Sequence, residues 1–168
     1  MSKHILILED DQSLAQSLAQ DFRDHGYQVS LCKSAQDIPD KLFDFALVDL
    51  RLSRGELGLD AIEKVRSSSA GCRIVVLTGY GSISTAVEAV KRGAVDYITK
   101  PASFRLIESA LLGTRESAEA DLKAPSLSQV EHEYIDFLLT KNNGNISKTA
   151  KALGLHRQSL QRKLKKYT

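Results

Sequence analysis

Five short aliphatic runs, separated by stretches of helical periodicity, constrain the fold of this chain more than any other feature. The runs are HILIL (4–8), YQVSLC (27–32), DFALVD (44–49), CRIVVL (72–77) and VDYI (95–98). Each is β-branched or aliphatic almost throughout and is bounded by acidic, Gly or Ser residues. Such runs fit strands buried on both faces, not strands with one wet side. Between them, Leu14, Leu18 and Phe22 recur at i, i+4, i+8, and Ile83, Ala86, Val87 and Val90 at i, i+3, i+4, i+7. Phe104, Ile107 and Leu111 repeat the pattern in the last helix of this part. Gly26, Gly71 and Gly93 follow the first, third and fourth helices as stop signals. Five strands alternating with five helices predict an α/β fold, a doubly wound parallel sheet covered on both faces.

The strand signals stop near residue 113. GTRESAEADLKAPS (113–126) is small and polar and reads as a helix end running into a linker. Beyond it lie three helical stripes: Val130, Tyr134, Phe137 and Leu138; Ile146, Ala150 and Leu153; Leu160, Leu164 and Tyr167. Ser128 and Glu131 have capping-box spacing at the start of the first. The expected layout is one domain over 1–118, a linker over 119–126 and a small all-α, three-helix domain over 127–168. So small a core is marginal, which favours dimerisation or docking.

Charge divides at the same place. Residues 1–125 carry 15 Lys+Arg against 18 Asp+Glu, whereas 126–168 carry 8 against 3, with no acid after Asp136. A basic tail on an acidic domain points to a polyanionic partner, although a solvated basic helix would look alike on charge alone. At 42% hydrophobic residues the chain is no disordered protein. No apolar run approaches the roughly 20 residues needed to span a bilayer, and MSKHILIL lacks a cleavage region, so no membrane association is expected. Cys32 and Cys72 are isolated and read as small buried hydrophobes, not a disulfide or zinc framework. A cytoplasmic location is the expectation.

In open parallel sheets, ligands bind outside the carboxyl ends of the strands. Glu9-Asp10-Asp11 end the first run, Asp49 the third, Thr78 the fourth and Thr99-Lys100-Pro101 the fifth. Clustered carboxylates repel one another unless a hard divalent cation joins them, and Mg²⁺ prefers carboxylate, carbonyl and phosphate oxygens. A carboxylate nucleophile could then accept a phosphoryl group, with Lys100 neutralising oxygen charge and Thr78 donating a hydrogen bond.

ILILEDD, LVDLRL, VVLTGYGS and VDYITKP resemble, in order and spacing, the four signature segments of bacterial response-regulator receiver domains. The likeness runs over residues 1 to about 120 and implies a flavodoxin-like fold. It implies that Asp49 is the phosphoacceptor and that Glu9 and Asp10 form an acidic pocket. Mg²⁺ would be held by Asp10, Glu9, Asp49 and the Arg51 backbone carbonyl. Thr78 and Tyr97 match the switch pair and Lys100 the phosphate-contacting lysine, with a cis Lys100–Pro101 bond. A partner sensor histidine kinase is implied. Two departures stand out: Glu9 replaces the commoner aspartate, and SRGELG (53–58) lacks the usual proline and is one residue longer than the common pattern. Both bear on phosphate lifetime.

GNISKTAKALGLHRQSLQRKLKKY (144–167) has the form of a helix-turn-helix, with Gly154 at the turn and His156 opening the second helix. It resembles the C-terminal part of Fis. Carried over, Arg157, Ser159, Gln161 and Arg162 become candidate contacts to double-stranded DNA. Asn145, Ser147 and Lys148 become phosphate anchors, and His156 and Lys163 lie on the same outward face. A receiver joined directly to such a segment is similar to the RegA/PrrA/ActR group of regulators. The resemblance implies a homodimeric, phosphorylation-switched transcription factor that catalyses only its own phosphotransfer and slow dephosphorylation. No G-x-x-x-x-G-K-[ST] is present, so an ATPase module is not expected. Two other readings fit parts of this pattern less well. A haloacid-dehalogenase-like phosphohydrolase needs an aspartate where Arg51 stands. A protein-binding adaptor would lack the salt dependence of phosphate contacts.

Overall fold

The computed structural model describes residues 1–52, 58–79, 83–115 and 126–166. Residues 53–57 of the lengthened loop, 119–125 of the expected linker and Tyr167 lie outside them. The chain divides into two compact units, Met1–Leu122 and Lys123–Thr168.

The first unit runs β1 (His4–Leu8), α1 (Gln12–Asp24), β2 (Gln28–Cys32), β3 (Phe45–Val48) and α2 (Leu59–Ser68). It continues with β4 (Arg73–Thr78), α3 (Ile83–Lys91), β5 (Ala94–Thr99) and α4 (Phe104–Leu112). The sheet is parallel throughout, in the order β2-β1-β3-β4-β5. Alternate residues of each strand feed opposite faces. Leu6, Leu8, Ala46, Val48, Ile74 and Val76 pack with Ile62 and Val65 of α2 on one side. Ile5, Ile7, Phe45, Leu47 and Val75 pack with Phe22 of α1 and Ile107 and Leu111 of α4 on the other. Burial on both faces is why these runs are apolar without alternation. Strand order reverses between β1 and β3, so the crevice expected of such sheets opens beside Glu9 and Asp49.

Two expectations need correction in this unit. Only a 3-10 turn, Ala35–Asp37, stands between β2 and β3 where an α-helix was expected. Pro39 accounts for it: Ile38 before it is held extended (φ −63°, ψ 117°), and Pro39 has no N–H to continue a helix. In α3, Ala89 is fully buried, while Val87 and Val90, which the spacing predicts to face the core, are about half exposed. The sheet ends at β5, and the helix offers its small residue inward and its valines outward.

The second unit comprises α5 (Leu127–Lys141), α6 (Ile146–Ala152) and α7 (Arg157–Lys166). Its core is Ile135, Ala150 and Leu160, flanked by Leu139, Ile146, Leu153 and Leu164. Of the expected stripe only Leu138 is buried, beside Ile135, while Val130, Tyr134 and Phe137 are exposed. Helix α5 is apolar on more than one side, and a three-helix unit can cover only one. Ser128 is no cap either. The helix begins at Leu127, and the Ser126 carbonyl accepts the Val130 N–H at 3.0 Å. Gly154 ends α6 at φ +68°, a left-handed conformation that a side chain would strain.

Candidate functional site

Parallel pairing continues one residue past the ends of β1 and β3. The Glu9 N–H donates to the Cys32 carbonyl (3.1 Å) and the Asp49 N–H to the Leu8 carbonyl (2.9 Å). This register sets Glu9 and Asp49 side by side at the crevice. Their residues are only 4% and 6% exposed. Asp10 joins them: one carboxylate oxygen from each of Glu9, Asp10 and Asp49 lies within 4.8 Å of the others. Asp11 does not join. It is exposed and caps α1, its Oδ1 accepting the Leu14 N–H at 3.0 Å.

Lys100 reaches the cluster from the end of β5. Its N–H donates to the Thr78 carbonyl (2.8 Å), and the peptide to Pro101 is cis. Its Nζ donates to Glu9 Oε2 at 2.6 Å and to Asp49 Oδ2 at 2.8 Å. Burial pushes the Glu9 carboxyl above the ordinary glutamate value, and the Lys100 hydrogen bond only partly offsets this. Burial acts on the Lys100 ammonium in the opposite sense, but bonds to Asp49 and Glu9 outweigh it and hold the lysine above its ordinary value.

The remaining predicted residues surround this centre. The Arg51 N–H donates to Asp49 Oδ1 at 3.0 Å, turning the chain after β3 back over the carboxylate. Thr78 is fully buried at the end of β4, and its Oγ1 has no hydrogen-bond partner among the described residues. An orphaned buried hydroxyl costs stability unless a ligand meets it. Tyr97 on β5 is half-buried against the same sheet face as Val48 and Val76. Three convergent carboxylate residues, a backbone turn and an unsatisfied hydroxyl are the donor set that a hard divalent cation and a tetrahedral oxyanion require. The residues present fit both.

In the second unit, Asn145 is the N-cap of α6, its Oδ1 accepting the Lys148 N–H at 3.0 Å. Ser147 and Lys148 are exposed on the first turn of that helix. His156 lies just before α7 and not in its first turn; it is exposed, as are Arg157 and Arg162 along the helix, while Ser159 and Gln161 are half-buried. Lys163 is partly exposed and pairs with Glu131 of α5. Sequence reasoning passed over Gln158, Lys165 and Lys166, which are also exposed. Their spacing from Arg162, four back and three and four on, could have found them.

The two cysteines are buried and take no part. Burial pushes Cys32 up to about 11 and Cys72 up to about 12, so neither is a thiolate at neutral pH.

Comparison with known proteins falls along the same two units. Residues 5–112 match the response regulator receiver domain, and residues 126–167 match the Fis family of bacterial regulatory proteins. The chain is 40% identical to the photosynthetic apparatus regulatory protein RegA of Cereibacter sphaeroides, over 98% of this chain and 91% of that one. It is 40% identical to the acid tolerance regulatory protein ActR of Rhizobium meliloti, over 98% and 87%. Among solved structures it is similar to a response regulator from Burkholderia pseudomallei containing a phosphorylated aspartic acid, a calcium ion and citrate. That likeness has 38% identity and a TM-score of 0.65, and covers 96% of this chain and 98% of that one.

Proposed function

The chain belongs to the response-regulator family, with a receiver domain and a Fis-type helix-turn-helix, and on that premise we propose that phosphorylation of Asp49 switches its binding to DNA. It is a two-component transcription regulator. A sensor histidine kinase supplies the phosphoryl group. An Asp49 carboxylate oxygen attacks the phosphorus, the P–N bond to the kinase imidazole breaks, and the imidazole keeps the electron pair.

The observation that carries this reading is Lys100 Nζ seated between Glu9 and Asp49, with the Thr78 hydroxyl at the end of β4 buried and without a partner among the described residues. Glu9, Asp10 and Asp49, with the Arg51 backbone carbonyl, would hold Mg²⁺, which supplies charge neutralisation at the phosphoryl oxygens. Lys100 gives up part of its hold on the carboxylates to meet a phosphoryl oxygen, and Thr78 donates to another. Satisfying Thr78 draws the end of β4 inward and biases Tyr97 on the neighbouring strand. The chain acts on no external substrate; its chemistry is confined to its own phosphotransfer and slow dephosphorylation. A cytoplasmic location follows from a DNA partner.

Homodimerisation belongs to the same reading. Its support is apolar surface without a partner among the described residues: Val87 and Val90 on α3, Val95 on β5, and Leu127, Val130, Tyr134 and Phe137 on α5. A twofold pair would set two α7 helices about one DNA turn apart.

The test is DNA binding by fluorescence anisotropy, with and without acetyl phosphate, for wild type and Asp49→Asn at several salt concentrations. Phosphodonor should tighten wild-type binding and leave the variant unchanged, with affinity falling steeply as salt rises. Equal responses from both proteins would overturn the assignment of Asp49. A flat salt dependence would favour a protein-binding tail.

A further inference from the structure

We infer that Gly58 is a positioning residue for phosphoryl acceptance, setting the place of Asp49 by bringing the first turn of α2 against its main chain. The inference rests on Asp49 as the phosphoacceptor and adds what holds that residue in register.

Gly58 is the N-cap of α2, a position where Ser, Thr, Asp or Asn would ordinarily satisfy the free N–H groups of the first turn. Glycine has no side chain with which to do so. Its backbone does not call for glycine either. At φ −61° and ψ −5° it is in the ordinary right-handed region, where alanine would be at ease.

The reason lies in space. A Cβ at residue 58 would overlap the Asp49 carbonyl oxygen, and would lie 3.0 Å from its carbon and 3.1 Å from Leu50 Cα. All three are main-chain atoms. Among the described glycines this one alone would drive a Cβ into backbone. Gly93 and Gly113 would meet the movable ends of Arg66 and Arg73, and Gly71 and Gly79 face open space.

The contact is reinforced by a hydrogen bond. The Gly58 N–H donates to the Leu50 carbonyl at 3.1 Å, and the Gly58 carbonyl accepts the Ile62 N–H at 3.3 Å as α2 begins. The two peptides that flank Asp49 are therefore each held, from opposite sides. On the β1 side the Asp49 N–H is bonded to the Leu8 carbonyl, and on the α2 side Gly58 abuts the Asp49 carbonyl. The carboxylate can then present Oδ1 to Arg51 and Oδ2 to Lys100 in one orientation. A methyl at residue 58 would separate these backbones by roughly 1 Å, a displacement that costs about 100-fold when reacting groups must be aligned.

The experiment uses the full chain. Wild type, Gly58→Ala and the control Gly71→Ala are phosphorylated with acetyl phosphate across a Mg²⁺ titration, and uptake is normalised to the folded fraction from urea unfolding. Gly58→Ala should lose 10- to 100-fold in limiting rate at saturating Mg²⁺, and Gly71→Ala should match wild type. A purely structural role would lower the folded fraction and leave the normalised rate unchanged, so a normalised rate within twofold of wild type overturns the inference. Absence of any uptake by wild type would instead bring down the assignment of Asp49, and this inference with it. Should Gly58→Ala not fold, amide hydrogen exchange on wild type decides the matter. The Gly58 N–H should be protected to the same degree as the Asp49 N–H, and free exchange at Gly58 would overturn the inference.

Discussion

Replacing Lys100 by methionine removes the ammonium and keeps the length of the side chain. The two carboxylates it joins, at 2.6 and 2.8 Å, are then left facing each other in a pocket where both residues are nearly buried. Removing one partner of a buried pair costs about 3–5 kcal/mol. The Lys100 side chain retains 20% exposure, which places the expected loss at the lower end, about 3 kcal/mol. The loss should depend on pH with a definite sign. Burial and the Asp49 charge both raise Glu9, and Lys100 opposes them together with the Asp11 N–H, which donates to Glu9 Oε1 at 3.0 Å. Without Lys100 the folded-state value of Glu9 rises further above the unfolded one. The stability tied to a raised carboxyl is present at low pH and is lost as pH rises through the folded value. Acidification from pH 7 to 5 should therefore narrow the gap between Lys100→Met and wild type. A divalent cation stabilises each protein by about 2.7 kcal/mol at 100 times that protein's own dissociation constant, and it should narrow the gap to the extent that the variant, freed of the competing ammonium, binds it more tightly than wild type. Urea unfolding followed by circular dichroism, at pH 7 with chelator, at pH 5, and at pH 7 with Mg²⁺, reads all three effects. A loss below about 1 kcal/mol at pH 7, or a gap that is the same at both pH values, would refute the reasoning.

Thr78→Val replaces a buried, unpartnered hydroxyl with a methyl group of the same shape. Stability should hold or rise by about 1 kcal/mol, while the effect of phosphodonor on DNA affinity is lost. Leu160→Ala removes the fully buried anchor of α7 and should cost about 2–5 kcal/mol within the second unit. DNA binding should vanish in anisotropy measurements while phosphoryl uptake persists. Cys32 and Cys72, held up at about 11 and 12, should resist iodoacetamide at pH 7.5 in the native protein and react once it is unfolded in urea. Arg162→Ala should weaken DNA binding and lower the slope of log affinity against log salt by about 1 if the side chain contacts a phosphate.

The sheet was legible because parallel strands buried on both faces leave uninterrupted apolar runs, and HILIL marks β1 to the residue. Glu9, Asp10, Asp49, Thr78 and Lys100 were legible as a group because a parallel sheet delivers all its strand ends to one edge. The division of labour within EDD was legible only through the family resemblance, which set Glu9 and Asp10 in the pocket, and not from the strand pattern itself. Asp11 caps a helix while its two neighbours face the pocket, and that depends on where α1 starts. Periodicity also failed to say which side of an apolar helix is covered. Val87, Val90, Val130, Tyr134 and Phe137 have the spacing of core residues yet lie outside, because helical spacing reports a face and not its partner. The missing helix between β2 and β3 was the opposite case, since Pro39 announced it in the sequence. Gly58 could not have been singled out, because its role is a contact with a backbone nine residues away.

The central claim is that Asp49 takes a phosphoryl group in a cation-dependent reaction. Its most direct test is the intact mass of the protein after incubation with acetyl phosphate, with and without Mg²⁺, for wild type and Asp49→Ala. One phosphoryl adduct on wild type, dependent on Mg²⁺ and absent from the variant, is the expected result. An adduct that survives in Asp49→Ala, or that forms equally well with the cation chelated, would contradict the account.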